Sequence, residues 1–219
     1  MLNQILTELQ PSKTKLVAVS KTKPNEAILE LYNQGQHAFG ENYVQELVDK
    51  QAALPKDIEW HFIGHLQSNK VKYIAPYVAM IHAVDSFKLL QEINKQAAKD
   101  ERIIKVLLQF HIAEEESKFG FDTEGVKKIA EELNQSTLKN IDICGVMGMA
   151  TFTDDKAQVR REFQHLKQIF DNLKNTYFAD SQSFTEISMG MSDDYKMAIE
   201  EGSTMVRIGS LLFGKRNNL

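Results

Sequence analysis

Apolar residues along this chain recur with two periods that alternate from one end to the other. Short runs with strand character occupy residues 16–20, 37–39, 60–63, 78–83, 103–110, 141–147, 184–188 and 204–208. Several are rich in β-branched or aromatic side chains, which suit a pleated, half-buried surface. The second run is short and is accepted because it fits the alternation. Between the runs the spacing becomes helical. Residues 25–34 follow Pro24, which suits a first helical position because its missing N–H would be unpaired there anyway. Residues 42–53 carry Val44, Leu47, Val48 and Ala52, and Phe87, Leu90, Ile93 and Ala97 form a further stripe. Val126, Ile129, Ala130 and Leu133 form another, and residues 155–175 set Val159, Phe163, Leu166, Phe170 and Leu173 on one face. Leu2, Ile5, Leu6 and Leu9 predict an amphipathic helix ahead of the first strand. The polar stretch 177–183 reads as a loop.

Eight strands separated by helices predict a parallel sheet, and at this number the natural closure is a (β/α)8 TIM barrel. An open, doubly wound sheet is the alternative if the second strand is miscounted. The 219 residues fit one such domain, 1–219, with no repeat, low-complexity tract or long linker to divide it.

Composition narrows the function. The formal net charge of -4 argues against a general nucleic-acid binder. The lysines are scattered rather than clustered into a membrane-binding patch, and no run is long enough to span a bilayer. The start lacks the basic and continuous apolar segments of a secretory signal, so a cytoplasmic protein is expected. Cys144 is the single cysteine and lies in the apolar run IDICGVMGM, where it reads as a core residue rather than a nucleophile.

In a barrel the functional face is built from the loops after the strands. The first strand reads LVAVSK, so Lys21 stands at its end, on the side shared by Val17 and Val19. Partial desolvation there would lower its pKa and yield the free amine that attacks carbonyls. The competing reading is a solvated lysine in the turn before Pro24, with Lys23 beside it. Gly190 and Ser192 follow the seventh strand, and Gly209 and Ser210 end the eighth. These are the usual phosphate-binding loops of this architecture, and a helix N-terminus favours an anion. Alternatively, Ser192 is an N-cap, with Asp193 and Asp194 answering the helix dipole. Arg207 sits inside an apolar strand and needs a partner, structural or ligand. Asn42 either faces the mouth or caps its helix. His61 and His65 have zinc-helix spacing, but the segment reads as strand and turn and lacks the glutamate of a zincin; no metal is expected. Other acidic pairs read as solvated helix faces.

Six ordered segments, AVSKTKP, FGENYVQE, WHFIGHLQSNK, ESKFGF, GVMGMAT and SMGMSDDYKMAIEEGSTMVRIGSLLFGKR, resemble the pyridoxal phosphate homeostasis protein family, which is similar to the N-terminal barrel of alanine racemase. The resemblance runs from about Leu16 to Arg216. It implies a carrier that holds pyridoxal 5′-phosphate as a Schiff base on Lys21 and controls vitamin B6 and, indirectly, amino acids. It further implies phosphate contacts at Met191, Ser192, Gly209 and Ser210, Arg207 at the pyridine nitrogen, and Asn42 and Ser188 in the pocket. Cofactor-dependent apoenzymes are the implied recipients, and a monomer without nucleic-acid or membrane partners is expected. The segment ahead of the first strand is shorter than in many members. Two other functions account for the same lysine and anion loops: an amino-acid racemase using pyridoxal phosphate, and a cofactor-free Schiff-base aldolase. Racemisation needs a base on each face of the substrate carbon. The chain ends at Leu219 without the second domain of alanine racemase, and neither Tyr43 nor Tyr195 is set opposite Lys21 by the sequence. Binding without catalysis is therefore the expectation, with no catalytic residue assigned and weak racemase activity left open.

Overall fold

All eight expected strands form, and each pairs in parallel with its neighbours in chain order. The computed structural model describes residues 1–114, 120, 121, 125, 129, 131, 132 and 137–214. The strands are β1 Lys15–Val19, β2 Ala38–Glu41, β3 Glu59–Phe62, β4 Met80–Val84, β5 Ile104–Gln109, β6 Ile141–Met147, β7 Glu186–Ser188 and β8 Met205–Ile208. β8 returns to β1 with Lys15 opposite Met205 and Ala18 opposite Ile208, which closes the barrel and removes the open sheet as an alternative.

The helices in the described residues are α1 Leu2–Leu9, α2 Asn25–Tyr32, α3 Val44–Ala53, α4 Val71–Ile74, α5 Phe87–Lys99, α6 Lys156–Thr176, α7 Tyr195–Glu200 and α8 Ser210–Phe213. Their starts have local causes. The Ser86 hydroxyl accepts from Leu89 N–H at 3.3 Å, and Asp155 accepts from Ala157 and Gln158 at 2.9 and 3.1 Å. α2 begins at Asn25, as expected, with Pro24 the extended residue just ahead of it (ψ 160°) rather than its first helical residue, and it ends at Tyr32, two residues short of the expected 34. α4 is a single turn, too short to show a periodic stripe. Of the predicted stripe at 126–133, Ile129 is buried, while Val126, Ala130 and Leu133 lie outside the described residues.

Strand alternation sorts the core into two layers. Leu16, Ala18, Phe39, Trp60, Phe62, Ile81, Val106, Leu108, Val206 and Ile208 face outward against the helices. Val17, Met80, Ala83, Leu107, Cys144, Met147 and Met205 fill the barrel interior. A bulge in β6 shifts the alternation: Val106 pairs with Ile143, but Leu107 pairs with Gly145. Gly145 has φ +152°, and a Cβ there would lie 1.8 Å from the Glu186 carbonyl oxygen, so only glycine lets β7 approach. α1 lies against α7, where Tyr195 Oη donates to Glu8 at 2.5 Å.

Candidate functional site at the barrel mouth

Register brings the predicted residues to one rim. Val19 pairs with Gly40, so Lys21 and Asn42, each two residues further on, are level at the ends of adjacent strands. On the other side Val17 pairs with Arg207, which brings the Gly209–Ser210 turn beside the end of β1. Lys21 is half-buried.

The backbone on both sides of Lys21 is tied to a buried ionic cluster. Ser20 Oγ donates to Glu41 Oε1 at 2.5 Å, and Lys50 Nζ donates to the Ser20 carbonyl and to Glu41 Oε1, both at 2.8 Å. Glu46 accepts from Lys50 at 2.6 Å and from the Thr22 N–H at 2.6 Å. Thr22 is left-handed (φ +64°), a strained conformation for a β-branched residue that this contact helps to hold. Burial pushes the Glu41 carboxyl above its ordinary range, while Lys50 pulls the other way. Its second oxygen is buried without a partner among the described residues. Glu41 ends β2 and Glu46 lies in the first turn of α3, and the sequence assigned a role to neither. Sequence could not have found the cluster, because Glu41 follows an apolar run whose outward direction only the closed barrel defines. Lys23 is also engaged, donating to the carbonyls of Phe213 and Gly214 at 3.0 and 3.3 Å.

The loops after β7 and β8 meet as expected. Gly190 (φ +94°) turns the chain so tightly that a Cβ would sit 2.6 Å from that of Ala198. Ser192 is not a helix cap: α7 begins at Tyr195, and the Ser192 hydroxyl accepts from the Gly209 N–H at 3.3 Å, joining the two loops. Asp194 accepts from the Met191 N–H at 2.5 Å, and burial raises its pKa. Met191 and Ser210 are exposed. Asn42 does not cap α3 either. The residue at that cap is Tyr43, with no side-chain bond, and Asn42 Oδ1 is buried without a partner among the described residues.

Arg207 is buried in the interior. It donates through Nη1 to Ser188 Oγ at 2.6 Å and through Nη2 to the Gly148 carbonyl at 3.1 Å. Burial lowers its pKa to about 10, opposed by nearby Asp194, so the guanidinium stays charged at neutral pH. Beyond Ser188 lie His82 and His61, which sequence reasoning weighed only as metal ligands or passed over. His65 instead meets Asp85 at 3.2 Å. Among the described residues no group of three or more histidine, cysteine or acidic side chains could hold a metal ion. The Cys144 thiol is pushed up to about 12 by burial first and by Asp142 next, which makes it unreactive. Residues 116–119 of the ESKFGF segment and the final KR pair fall outside the described residues.

Comparison with known proteins gives this rim a family. Residues 2–217 match the model of the alanine racemase N-terminal domain. The pyridoxal phosphate homeostasis protein of Aquifex aeolicus is 42% identical over 92% of this chain and 87% of its own length. The human protein of the same name is 41% identical over 97% of this chain and 79% of its own. PipY of Synechococcus elongatus, solved with pyridoxal phosphate bound, is 36% identical and superposes with a TM-score of 0.86 over 97% of this chain and 98% of its own. Alanine racemase of Clostridium difficile shares the fold alone, at 17% identity and a TM-score of 0.75 over 99% of this chain and 60% of its own. On these matches, which run nearly its whole length and carry the same eight-stranded barrel, the chain belongs to the pyridoxal phosphate homeostasis protein family, built on the alanine racemase N-terminal domain.

Proposed function

We propose that this protein holds pyridoxal 5′-phosphate covalently on Lys21 and serves the homeostasis of that cofactor rather than an amino-acid reaction. The observation that carries the reading is the rim itself: Lys21 and Asn42 level on β1 and β2, beside the Gly209–Ser210 turn after β8, with a buried asparagine oxygen that has no partner among the described residues. When bound, the cofactor supplies an electrophilic aldehyde and an electron-withdrawing ring.

Each residue has a part that its chemistry fits. Lys21 brings the amine, on backbone held from both sides. Asn42 offers Oδ1 as an acceptor to the ring substituent beside the aldehyde. The turns 190–194 and 209–210 offer close backbone approach to a phosphate. The N–H groups of Met191 and Gly209, now given to Asp194 and the Ser192 hydroxyl, are donors the phosphate can take over. Arg207, braced by Ser188 and the Gly148 carbonyl, has three more N–H donors and no acceptor. At a ring nitrogen it can only donate, so that nitrogen stays unprotonated and the ring draws electrons weakly. This favours holding over turnover.

The racemase alternative needs a second base. Tyr195 does not support that role, because its hydroxyl is buried in a bond to Glu8 on α1. The aldolase alternative leaves the orphaned Asn42 oxygen unexplained. For its setting, we propose a cytoplasmic monomer that passes the cofactor to apoenzymes. The single buried thiol needs no oxidising compartment, and no described helix is long and apolar enough to cross a membrane.

Borohydride reduction of cofactor-loaded protein, followed by peptide mapping, should label the peptide containing Lys21. Label confined to Lys23, or none, overturns the assignment. Chiral chromatography of amino acids incubated with the same preparation should show no sustained inversion. Turnover abolished by Lys21→Ala would establish the racemase instead.

A further inference from the structure

Arg207 cannot accept a hydrogen bond, and it begins a buried polar chain across the barrel interior. Its Nη1–H donates to Ser188 Oγ at 2.6 Å, Ser188 Oγ lies 3.0 Å from His82 Nδ1, and His82 Nε2 lies 2.8 Å from His61 Nδ1. The four side chains come from β8, β7, β4 and β3, and all are buried. Taken alone, the serine–histidine and histidine–histidine contacts could each run in either direction. The guanidinium settles both. Ser188 Oγ already accepts from Arg207, so its own hydrogen needs an acceptor, and His82 Nδ1 is the other polar atom within reach among the described residues. His82 then carries its proton on Nε2 and gives it to a bare His61 Nδ1, which leaves the His61 proton on Nε2. The reverse order would make Ser188 accept twice and bury its hydrogen with no acceptor. It would also point the positive end of each bond dipole at the cation.

We infer that His61 and His82 are locked as neutral Nε2–H tautomers in one directed chain from Arg207, and that Ser188 and His82 are positioning residues for its guanidinium. The positioning role deepens the reading of Arg207 as the ring-nitrogen donor and rests on it; the tautomers do not. The surrounding charge agrees with neutrality. Burial lowers the His61 pKa to about 4, with Lys15 on β1 and Lys105 on β5 adding to the effect. Burial, His61 and Arg207 hold His82 well below the ordinary value. Glu186 on β7 is paired with Lys15, and Asp194 acts on Arg207 itself.

Long-range proton–nitrogen NMR of histidine-labelled, cofactor-free protein tests the tautomers directly. Both residues should show the Nε2–H pattern, unchanged between about pH 5 and 8, the range in which an ordinary histidine titrates. An Nδ1–H pattern at either residue, or titration of either within that range, overturns the chain. Ser188→Ala, shown to be folded by circular dichroism, should shift the Arg207 side-chain nitrogen signals and bring in a second His82 tautomer. Unchanged signals from both residues overturn the positioning role. Because the protein carries no cofactor in these measurements, their failure is separable from a failure of Lys21 labelling.

Discussion

The Lys50 ammonium donates to the backbone carbonyl of Ser20 at 2.8 Å, reaching from α3 to the residue that precedes Lys21. The same ammonium neutralises buried Glu41, so the site's scaffold depends on a charge pair with little solvent contact. Removing one partner strands the other. Lys50→Met should destabilise the protein by about 3–5 kcal/mol, whereas adding Glu41→Leu should restore much of the loss. Urea denaturation of both variants decides the point. A double variant no more stable than the single one would show that lost packing, not an uncompensated charge, is the cause.

The anion loops make a graded prediction. Backbone donors survive side-chain truncation, so Ser192→Ala should weaken pyridoxal phosphate binding by about 1 kcal/mol, one hydrogen bond's worth. Gly209→Val should cost more, because a Cβ there would already lie 3.2 Å from the Val19 carbonyl oxygen and displace the turn. Titrations comparing pyridoxal phosphate with pyridoxal test the loops themselves. Equal affinity for the two would remove the phosphate site.

Acid stability should follow the buried histidines. Burial holds the folded-state pKa of His61 at about 4, below the ordinary histidine value of 6.5. The unfolded chain therefore binds more protons below pH 6.5, and stability falls as pH drops from there through about 4. At pH 5 His61 alone should cost about 2 kcal/mol relative to pH 8, with His82 adding in the same direction. Thermal melts across this range should show the decline, and it should shrink in a folded His61→Gln variant. A pH profile identical to wild type would mean that His61 ionises normally in the fold.

Arg207→Glu reverses the donor at the proposed ring nitrogen. A folded variant should hold the cofactor with that nitrogen protonated, visible as a change in its nitrogen-15 shift. The new buried carboxylate can itself cost several kcal/mol if it stays charged, so folding must be shown first. An unchanged shift in the folded variant would mean that Arg207 does not meet the ring.

Much of the architecture was legible because its signals are local. A period of two marks strands and a period near 3.6 marks helices whatever the rest of the chain does. Residues 60–63 and 141–147 thus became β3 and β6 with little change of boundary. The positions of Lys21, Asn42, Gly209 and Ser210 after strands followed from the same alternation. The local code left alternatives open, or was silent, elsewhere. Ser192 has a capping side chain, but Gly190 turns the chain so that α7 starts at Tyr195 and the hydroxyl meets Gly209 instead. The single turn of α4 is too short to leave a stripe.

By itself, then, the sequence determined the eight strands, the candidate lysine, the small-residue loops and, through its motifs, the family. Only the tertiary structure decided which polar groups meet. Glu41 reaches Lys50 because β2 turns that side chain outward beneath α3, and His82 reaches Ser188, 106 positions further along the chain, because β4 and β7 face each other inside a closed barrel. Such contacts have no period to read. A buried polar side chain must find a partner, but the partner's identity depends on strand order, register and closure, which exist only once the chain has folded.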